Sequence, residues 1–595
     1  MKNPVFRVTG PDVLEGRDLP STALSQLPVL PEMDPATVGH MRMVAQVGQL
    51  NGLRSDVFVK AGDSNTYTSN YMYPLATTDA NISNLSPEDQ STVNNYRAPI
   101  DASGVNSFNR ASTASYPGFS VHHATATVEG EADATKAAIA TITIGTLDTA
   151  LVPMPEYIRL LGAVVDRLVA KGVIPLLTTI PPLLYAGPLS DAAAIGYNQA
   201  IADIAEQKQV PLLNLWQGLS GLPDSGLGTD KVHLNVSPNG AGSLRAVDLA
   251  FGQNYRESVT IQALTHIRKQ VFEYNTQQEA SQLKLSWTPL QLGQAVFAAG
   301  SDAGRVSVVT VFDANTGAQL AQTLPFGSSF LGGVRVAVGD LDSDGVPDVV
   351  AAAGETGGPA IKGYSGVDGH ELFAFFAYEP NFRGGVNVAI GDTDGDGHNE
   401  IIVGAGPGGG PRVRVFRATD LVVVQDFFAF ESSLRGGVIV AAGNVNGPAI
   451  VVGAGDGGAP VVKIFDGRSL DQRQSFVAYD IEQRGGVNVA VGDVNGDGQD
   501  EIVTGSRNLG APHVKVFDAS TATEIAGFFA GDPTAEHGVR VAVARSQPGI
   551  AAQIVATPSH NGSQPIRFFN AVGNLTKTID ANNQLELLTD ANIGG

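Results

Sequence analysis

Gly384-Gly385-Val386-Asn387-Val388-Ala389-Ile390-Gly391-Asp392-Thr393-Asp394-Gly395-Asp396-Gly397 decides the architecture of the second half of the chain. It reads as a short apolar strand that runs into an acidic turn. The phrase Gly-Gly-Val-x-Val-Ala returns at Gly332 and Gly485, with variants at Gly436-Gly437-Val438 and His537-Gly538-Val539. About twenty residues after each phrase comes a small-residue strand end, as at Gly354, Gly406 and Gly455. A proline then follows at Pro359, Pro411, Pro460, Pro512 and Pro565, at spacings of 52, 49, 52 and 53. Each proline leads into a strand such as Val413–Phe416 or Val514–Asp518. An earlier copy of that strand, Val308–Thr316, lacks the proline and brings the count to six. A period near fifty with several short strands per unit is one propeller blade per repeat, because a lone blade cannot bury both its faces. Six blades are expected, or seven if Pro20–Asn51 or the extreme C-terminus adds strands.

Three of the repeats carry an acidic loop directly after the Gly-Gly-Val strand. Asp340, Asp342 and Asp344 precede Gly345, with Asp348 following. Asp392, Asp394 and Asp396 precede Gly397, with Glu400 following. Asp493, Asn495 and Asp497 precede Gly498, with Glu501 following. Oxygen ligands thus stand at loop positions 1, 3 and 5, a glycine at 6 and a carboxylate at 9. Calcium takes six to eight hard oxygens, which a tight loop with alternate residues turned inward supplies. Acidic turns also arise without ions, since Asp, Asn and Gly favour turns. Three loops in phase with three repeats point to Ca2+, about three structural sites in all. The shortened Asn444-Val445-Asn446-Gly447-Pro448 and the repeat at Val541–Ile554 lack such carboxylates and are expected to hold no ion. From Trp287 onward the pattern resembles the FG-GAP (VCBS) repeats of integrin-like propellers. That resemblance implies ions that staple blade loops, and a protein or glycan ligand or a scaffolding role for the propeller.

The 595 residues exceed a single core, so two or three domains are expected. With 37 basic against 59 acidic side chains the net charge is -22, which repels nucleic acid and anionic membranes but attracts divalent cations. No cysteine is present, which excludes disulfides, thiolate metal sites and cysteine nucleophiles. No stretch reaches the roughly 18 apolar residues of a membrane span. Met1-Lys2-Asn3-Pro4 shows no signal-peptide core, which leaves a cytosolic chain or a piece of an exported one. Abundant extracellular calcium suits weak oxygen cages and favours an extracellular or cell-surface location.

Before about Tyr274 strands alternate with helices. Asp56–Lys60, Ala137–Ile144, Val173–Thr179 and Val210–Leu215 read as strands. Pro155–Lys171 and Asp191–Lys208 read as helices, the second capped by Ser190, and Ser237-Pro238 as the start of another. Alternation of this kind gives a parallel sheet covered on both faces. Gly62-Asp63-Ser64-Asn65-Thr66 follows the first strand, and Asp230-Lys231-Val232-His233 comes late in this region. A serine on a sharp turn after a buried strand exposes its oxygen at the carboxyl edge of a parallel sheet. An aspartate three residues before a histidine can orient the imidazole as general base.

Together these blocks resemble the SGNH (GDSL-like) hydrolases over roughly Val57–Ala250. Other supporting segments are Gly172–Pro175, Thr179–Pro182, Tyr197-Asn198 and Val210–Trp216. The resemblance implies an α/β three-layer, flavodoxin-like domain with Ser64 as nucleophile, His233 as base and Asp230 as its partner. Two blocks depart from the family. Its Gly-x-Asn-Asp block is Gly145-Thr146-Leu147-Asp148 here, so Leu147 stands where an oxyanion-donating Asn belongs. Its glycine block is matched by Asn109-Arg110-Ala111-Ser112, so the backbone donors are expected from Ser64, Ala111 and Ser112. Asn65 and Asn109 are candidate substitutes for the missing amide. Asp63 is expected as a turn residue, His122 and His123 as loop residues, and Trp216 as core.

The domain order expected is 1–50 as an extension on the hydrolase, 51–274 as the SGNH domain, 275–286 as linker and 287–595 as propeller. The function expected is a serine esterase acting on carboxylic esters, such as acyl groups on a glycan, with no cofactor for catalysis. The alternative is an impaired hydrolase serving adhesion or assembly, motivated by Leu147.

Overall fold

The computed structural model describes residues 23–185, 188–507, 510–535, 538–544, 551–558, 565–579 and 592–594. The chain divides into two compact units, one of residues 1–33 and 40–274, the other of 34–39 and 275–595. The readings on Met1–Pro4, His537 and part of Val541–Ile554 lie outside the described residues.

The first unit is α/β. In chain order the elements of the two units up to the propeller are α1 (Pro35–Leu50), β1 (Arg54–Gly62), α2 (Ser64–Tyr67), α3 (Pro87–Tyr96), α4 (Val121–Thr135), β2 (Ala137–Thr143), α5 (Asp148–Leu151), α6 (Met154–Lys171), β3 (Ile174–Thr178), α7 (Pro188–Gln207), β4 (Leu212–Leu213), α8 (Leu215–Ser220), α9 (Gly252–Ile267) and α10 (Thr276–Gln282). The four strands pair in parallel in the order β1-β2-β3-β4. Every residue of β2 and β3 is buried, so helices cover both faces, as continuous apolar strands require. Helices α4 and α6 pack together and on β1 to β3, while α3 and α9 pack together, α3 reaching β1 and α9 reaching β4. Met41 and Val44 of α1 share this core.

Two local readings need correction. No helix starts at Ser237-Pro238. Ser237, Asn239, Ser243 and Arg245 all donate to the buried Asp248 at 2.6–2.8 Å, and side chains drawn to one carboxylate compete with helical bonding. The helix begins only at Gly252. Helix α7 starts at Pro188 rather than after Ser190, whose hydroxyl donates to the Leu183 carbonyl at 2.6 Å.

The second unit holds a six-bladed propeller. Five antiparallel four-stranded sheets follow one another, each opening with a Gly-Gly-Val strand or its variant: Val334–Gly339, Val386–Gly391, Val438–Asn444, Val487–Gly492 and Val539–Ala544. These five strands touch their counterparts in neighbouring blades and so line the axis. Apolar side chains of adjacent blades close the gaps; Val451 and Ile464 of one blade pack with Val489 and Ile502 of the next. The Asn387 and Asn488 side-chain amides add cross-blade bonds of 2.8 Å to the carbonyls of Val438 and Val539.

The first blade is assembled from both ends of the propeller sequence. Val296–Gly300, Val309–Asp313 and Gln319–Thr323 form its body, and Asn592–Gly594 pairs with Val296–Gly300 on the inner side. Ser286–Trp287 adds an outer fifth strand. The stretch 275–286 therefore carries structure: α10, capped by Asn275, whose side chain accepts from Gln278 N at 3.0 Å, and then that strand. Removing residues 592–595 bares the inner edge of Val296–Gly300. It is expected to lower the melting temperature of the propeller by about 5 °C, with the first unit's transition unmoved; differential scanning calorimetry would read both.

Candidate active site and acidic propeller loops

Ser64 begins a four-residue helix straight after β1. Asp63 caps that helix, its buried carboxylate accepting from Asn65 N at 3.0 Å, the structural part expected of it. Gly62 is required by crowding. A Cβ there would lie 2.3 Å from Thr66 Oγ1 and 2.7 Å from the Thr143 carbonyl. The chain thus turns tightly enough to leave Ser64 at the carboxyl edge of the sheet.

The loop carrying Asp230 and His233 is built around one carboxylate. Asp230 Oδ1 accepts from Val232 N at 3.0 Å and His233 N at 2.9 Å, and Oδ2 meets His233 Nδ1 at 2.7 Å. The backbone N–H of His233, joined by that of Val232 and by the imidazole, lowers the Asp230 carboxyl to about 2. Lys231 between them sits in the left-handed region at φ 58°, a strain of about 1–2 kcal/mol that the turn holds in place. His233 Nε2 reaches Ser64 Oγ at 2.8 Å. Three side chains separated by 169 positions thus form one hydrogen-bonded chain, with Asp230 and His233 each about half exposed.

Asn65 does not stand free to donate to an oxyanion. It is buried, its Oδ1 accepts from Leu234 N at 3.1 Å, and its Nδ2 points to the Val232 carbonyl at 3.5 Å. It brackets His233 from both sides. Asn109 accepts from Asn106 N through Oδ1 at 2.8 Å. Ala111 is exposed, and Ser112 accepts from Ala114 N at 3.1 Å. The segment alongside the end of β1 is Ala114–Tyr116: Gly62 N donates to the Ala114 carbonyl and Tyr116 N to the Gly62 carbonyl, at 3.1 and 3.3 Å. Leu147 is partly buried at the start of α5, and Asp148 next to it is wholly buried, accepting from Val121 N at 3.0 Å. Burial, the largest influence, raises the Asp148 pKa.

His122 and His123 lie in the first turn of α4 rather than in a loop, and His123 Nδ1 accepts from Ser120 N at 3.1 Å as part of the helix cap. Asn198 grips Ile180 through both its N–H and carbonyl, at 2.7 and 3.0 Å. Trp216 is half-buried on α8, its indole N–H directed at Asp191 at 3.4 Å.

In the propeller, Asp340, Asp342 and Asp344 bring carboxylate oxygens within 4.8 Å of one another, and so do Asp392, Asp394 and Glu400. Position 6 is left-handed in all three loops, at φ 81°, 90° and 89° for Gly345, Gly397 and Gly498. The position-9 carboxylates are buried and tie the loop: Asp348 accepts from Leu341 N at 2.8 Å, Glu400 from Thr393 N at 2.8 Å and Glu501 from Val494 N at 3.1 Å. Asp348 also accepts from Gly366 N at 2.9 Å. Asp396 lies beside the second cluster and accepts from His398 N at 2.8 Å. In the third loop Asp493 gathers Gly496 N and Gly498 N at 2.6 and 2.9 Å, and the Asn495 amide touches Asp497 and Glu501 at 3.0 and 2.8 Å. A half-turn of that amide exchanges its oxygen for its nitrogen. Burial pushes Asp348 up to about 6 and Glu501 up to about 7, and raises Glu400. Like charges this close disfavour one another, so the donor set fits a hard divalent cation. The shortened fourth loop is a hairpin in which Asn444 Oδ1 accepts from Gly447 N at 2.9 Å.

Among the described residues no helix is long and apolar enough to cross a membrane. Residues 61–237 match the GDSL-like Lipase/Acylhydrolase family, and residues 485–514 match the FG-GAP repeat. No curated protein matches the chain. Among solved structures, an acetyl xylan esterase from Geobacillus stearothermophilus is 16% identical at TM-score 0.25, covering 35% of this chain and 93% of its own. The lipase/acylhydrolase from Enterococcus faecalis gives 16% and 0.25, over 35% and 94%. A Bacillus licheniformis rhamnogalacturonan lyase gives 15% and 0.27, over 49% and 76%. Likenesses of this strength do not extend to a reaction. The chain carries a GDSL-like lipase/acylhydrolase domain at 61–237 followed by a six-bladed propeller with an FG-GAP repeat.

Proposed function

We propose that the first unit is a serine ester hydrolase whose catalytic groups are Ser64, His233 and Asp230. The observation that carries this is the unbroken chain Ser64 Oγ, His233 Nε2, His233 Nδ1, Asp230 Oδ2, at 2.8 and 2.7 Å, at the carboxyl edge of a parallel sheet. Ser64 attacks the ester carbonyl and its proton passes to His233 Nε2. That proton leaves with the alcohol, giving an acyl-enzyme. Water then attacks the acyl group, gives its proton to His233 and restores Ser64. Asp230 fixes the imidazole and stabilises its cation. The half-exposed Asp230 and His233 side chains leave the site open to solvent, which suits an acyl group on a bulky glycan. A fluorophosphonate probe followed by peptide mass spectrometry tests the reading. Label on the peptide holding Ser64 is expected, and an unlabelled Ser64 would overturn it.

The oxyanion is stabilised by backbone N–H groups without a side-chain amide at position 147. One such donor is worth about 3–4 kcal/mol. Leu147→Asn is therefore expected to raise kcat on p-nitrophenyl acetate about 100- to 1000-fold with KM little changed, as read by steady-state kinetics.

The propeller holds Ca2+ in its three acidic loops and presents a protein or glycan ligand surface or a scaffold. Asp340, Asp342, Asp344 and Asp348 serve the first site; Asp392, Asp394, Asp396 and Glu400 the second; and Asp493, Asn495, Asp497 and Glu501 the third. The ions join loop strands electrostatically and take no part in ester hydrolysis. An extracellular or cell-surface setting, where calcium is plentiful, accords with this use of the metal and with the FG-GAP match.

A further inference from the structure

Arg256 on α9 is among the largest wholly buried side chains of the protein. A buried guanidinium is costly unless its donors are met, and it is placed where its planar fork fits a set of acceptors. Here the acceptors of the two Nη groups are neutral oxygens, two on the turn that carries Ser64 and one at the end of β2, while the buried Nε has no partner among the described residues. Nη1 donates to the Asn65 carbonyl at 2.8 Å, and Nη2 to Thr66 Oγ1 at 2.9 Å and to Thr143 Oγ1 at 3.0 Å. The guanidinium carbon lies over the Tyr71 ring, 3.8 Å from its centroid.

The location gives this contact its meaning. Helix α2 is one turn long, so the Asn65 carbonyl has no partner within it. Arg256 supplies that partner and ties the turn to the end of β2 through Thr143. The same Asn65 brackets His233 with its side chain. One buried cation therefore fixes the residue that fixes both the nucleophile's turn and the base's loop. Glu257, the neighbouring buried carboxyl, spends its Oε1 on Met72 N at 2.7 Å instead of on this guanidinium.

We propose that Arg256 is a positioning residue for hydrolysis: it holds the Ser64 turn in register with the His233 loop. The proposal rests on the esterase reading for its kinetic consequence, though its structural consequence stands apart from it.

The test uses the full chain with Arg256→Lys, Arg256→Gln and Thr66→Val. Lysine keeps the charge and loses the fork; the threonine change removes one acceptor and leaves the guanidinium in place. Melting temperature, hydrogen–deuterium exchange of peptides over residues 62–68 and 230–236, and steady-state kinetics on p-nitrophenyl acetate are measured. Both arginine variants are expected to exchange at least tenfold faster in these two segments, with the propeller peptides unchanged. Their kcat is expected to fall 10- to 100-fold with KM within twofold, and that of Thr66→Val about 3- to 10-fold. Wild-type exchange in both segments together with wild-type kcat in a folded arginine variant would overturn the proposal. If the arginine variants do not fold, Thr66→Val decides by the same two readings. If the wild-type protein hydrolyses no ester and its Ser64 resists the fluorophosphonate, the esterase reading fails, and exchange in 62–68 and 230–236 alone decides the case of Arg256.

Discussion

Ser64→Ala is expected to lower kcat/KM for p-nitrophenyl acetate by at least about 1000-fold, with the melting temperature within a degree or two of the wild type. Among the described residues the hydroxyl makes one polar contact, the 2.8 Å bond to His233 Nε2, so its loss costs little stability. It removes the only proposed site of acyl transfer. What remains is the rate supplied by binding and by backbone donors, which in serine hydrolases is a small residue of the whole. His233→Ala should fall nearly as far. The double variant should be no worse than either single one, because groups that act in one step are not additive. Asp230→Asn should cost about 100- to 10000-fold, since the amide favours the wrong imidazole tautomer. Equal hydrolysis by Ser64→Ala and the wild type would remove the triad from the account.

Removal of calcium is expected to have the largest effect on stability. An ion that binds only the folded protein at one hundred times its Kd contributes about 2.7 kcal/mol, so three sites contribute about 8 kcal/mol. For a domain of this size that corresponds to a fall of roughly 10–15 °C in the melting temperature of the propeller on adding EDTA. Refilling with Ca2+ should restore it. Mg2+ should not, because it demands a smaller octahedral cage and dehydrates reluctantly. Asp392→Ala should remove about a third of the effect. A melting curve that ignores EDTA would dispose of the calcium sites, whatever the three loops look like.

Much of the fold was legible because its signals are local. The six copies of one strand and their proline spacing fixed the blades, and the apolar run at Ala137 marked a strand buried on both faces. Ser64, Asp230 and His233 announced themselves through short blocks. Asp248 did not: nothing near it says that Ser237, Asn239, Ser243 and Arg245 will converge on it and suppress the helix that Ser237-Pro238 signals. Asn65 read as a candidate donor, but its amide is occupied by a loop 167 and 169 residues away. Arg256 meets Asn65 across 191 positions, a distance over which periodicity and motif carry no information. The same limit applies to Asn592–Gly594, three residues without a strand pattern of their own whose role comes from the unpaired edge they meet.

That last pairing sets an order on biosynthesis. The first blade lacks its inner edge until residue 592 has left the ribosome, although its other strands emerge roughly 300 residues earlier, about 15–60 s at usual elongation rates. The amino-terminal sheet, whose four strands all precede residue 214, has no such wait. Nascent chains stalled before residue 592 would therefore carry a finished α/β sheet and an open ring, with a bare strand edge exposed to chaperones and to other chains.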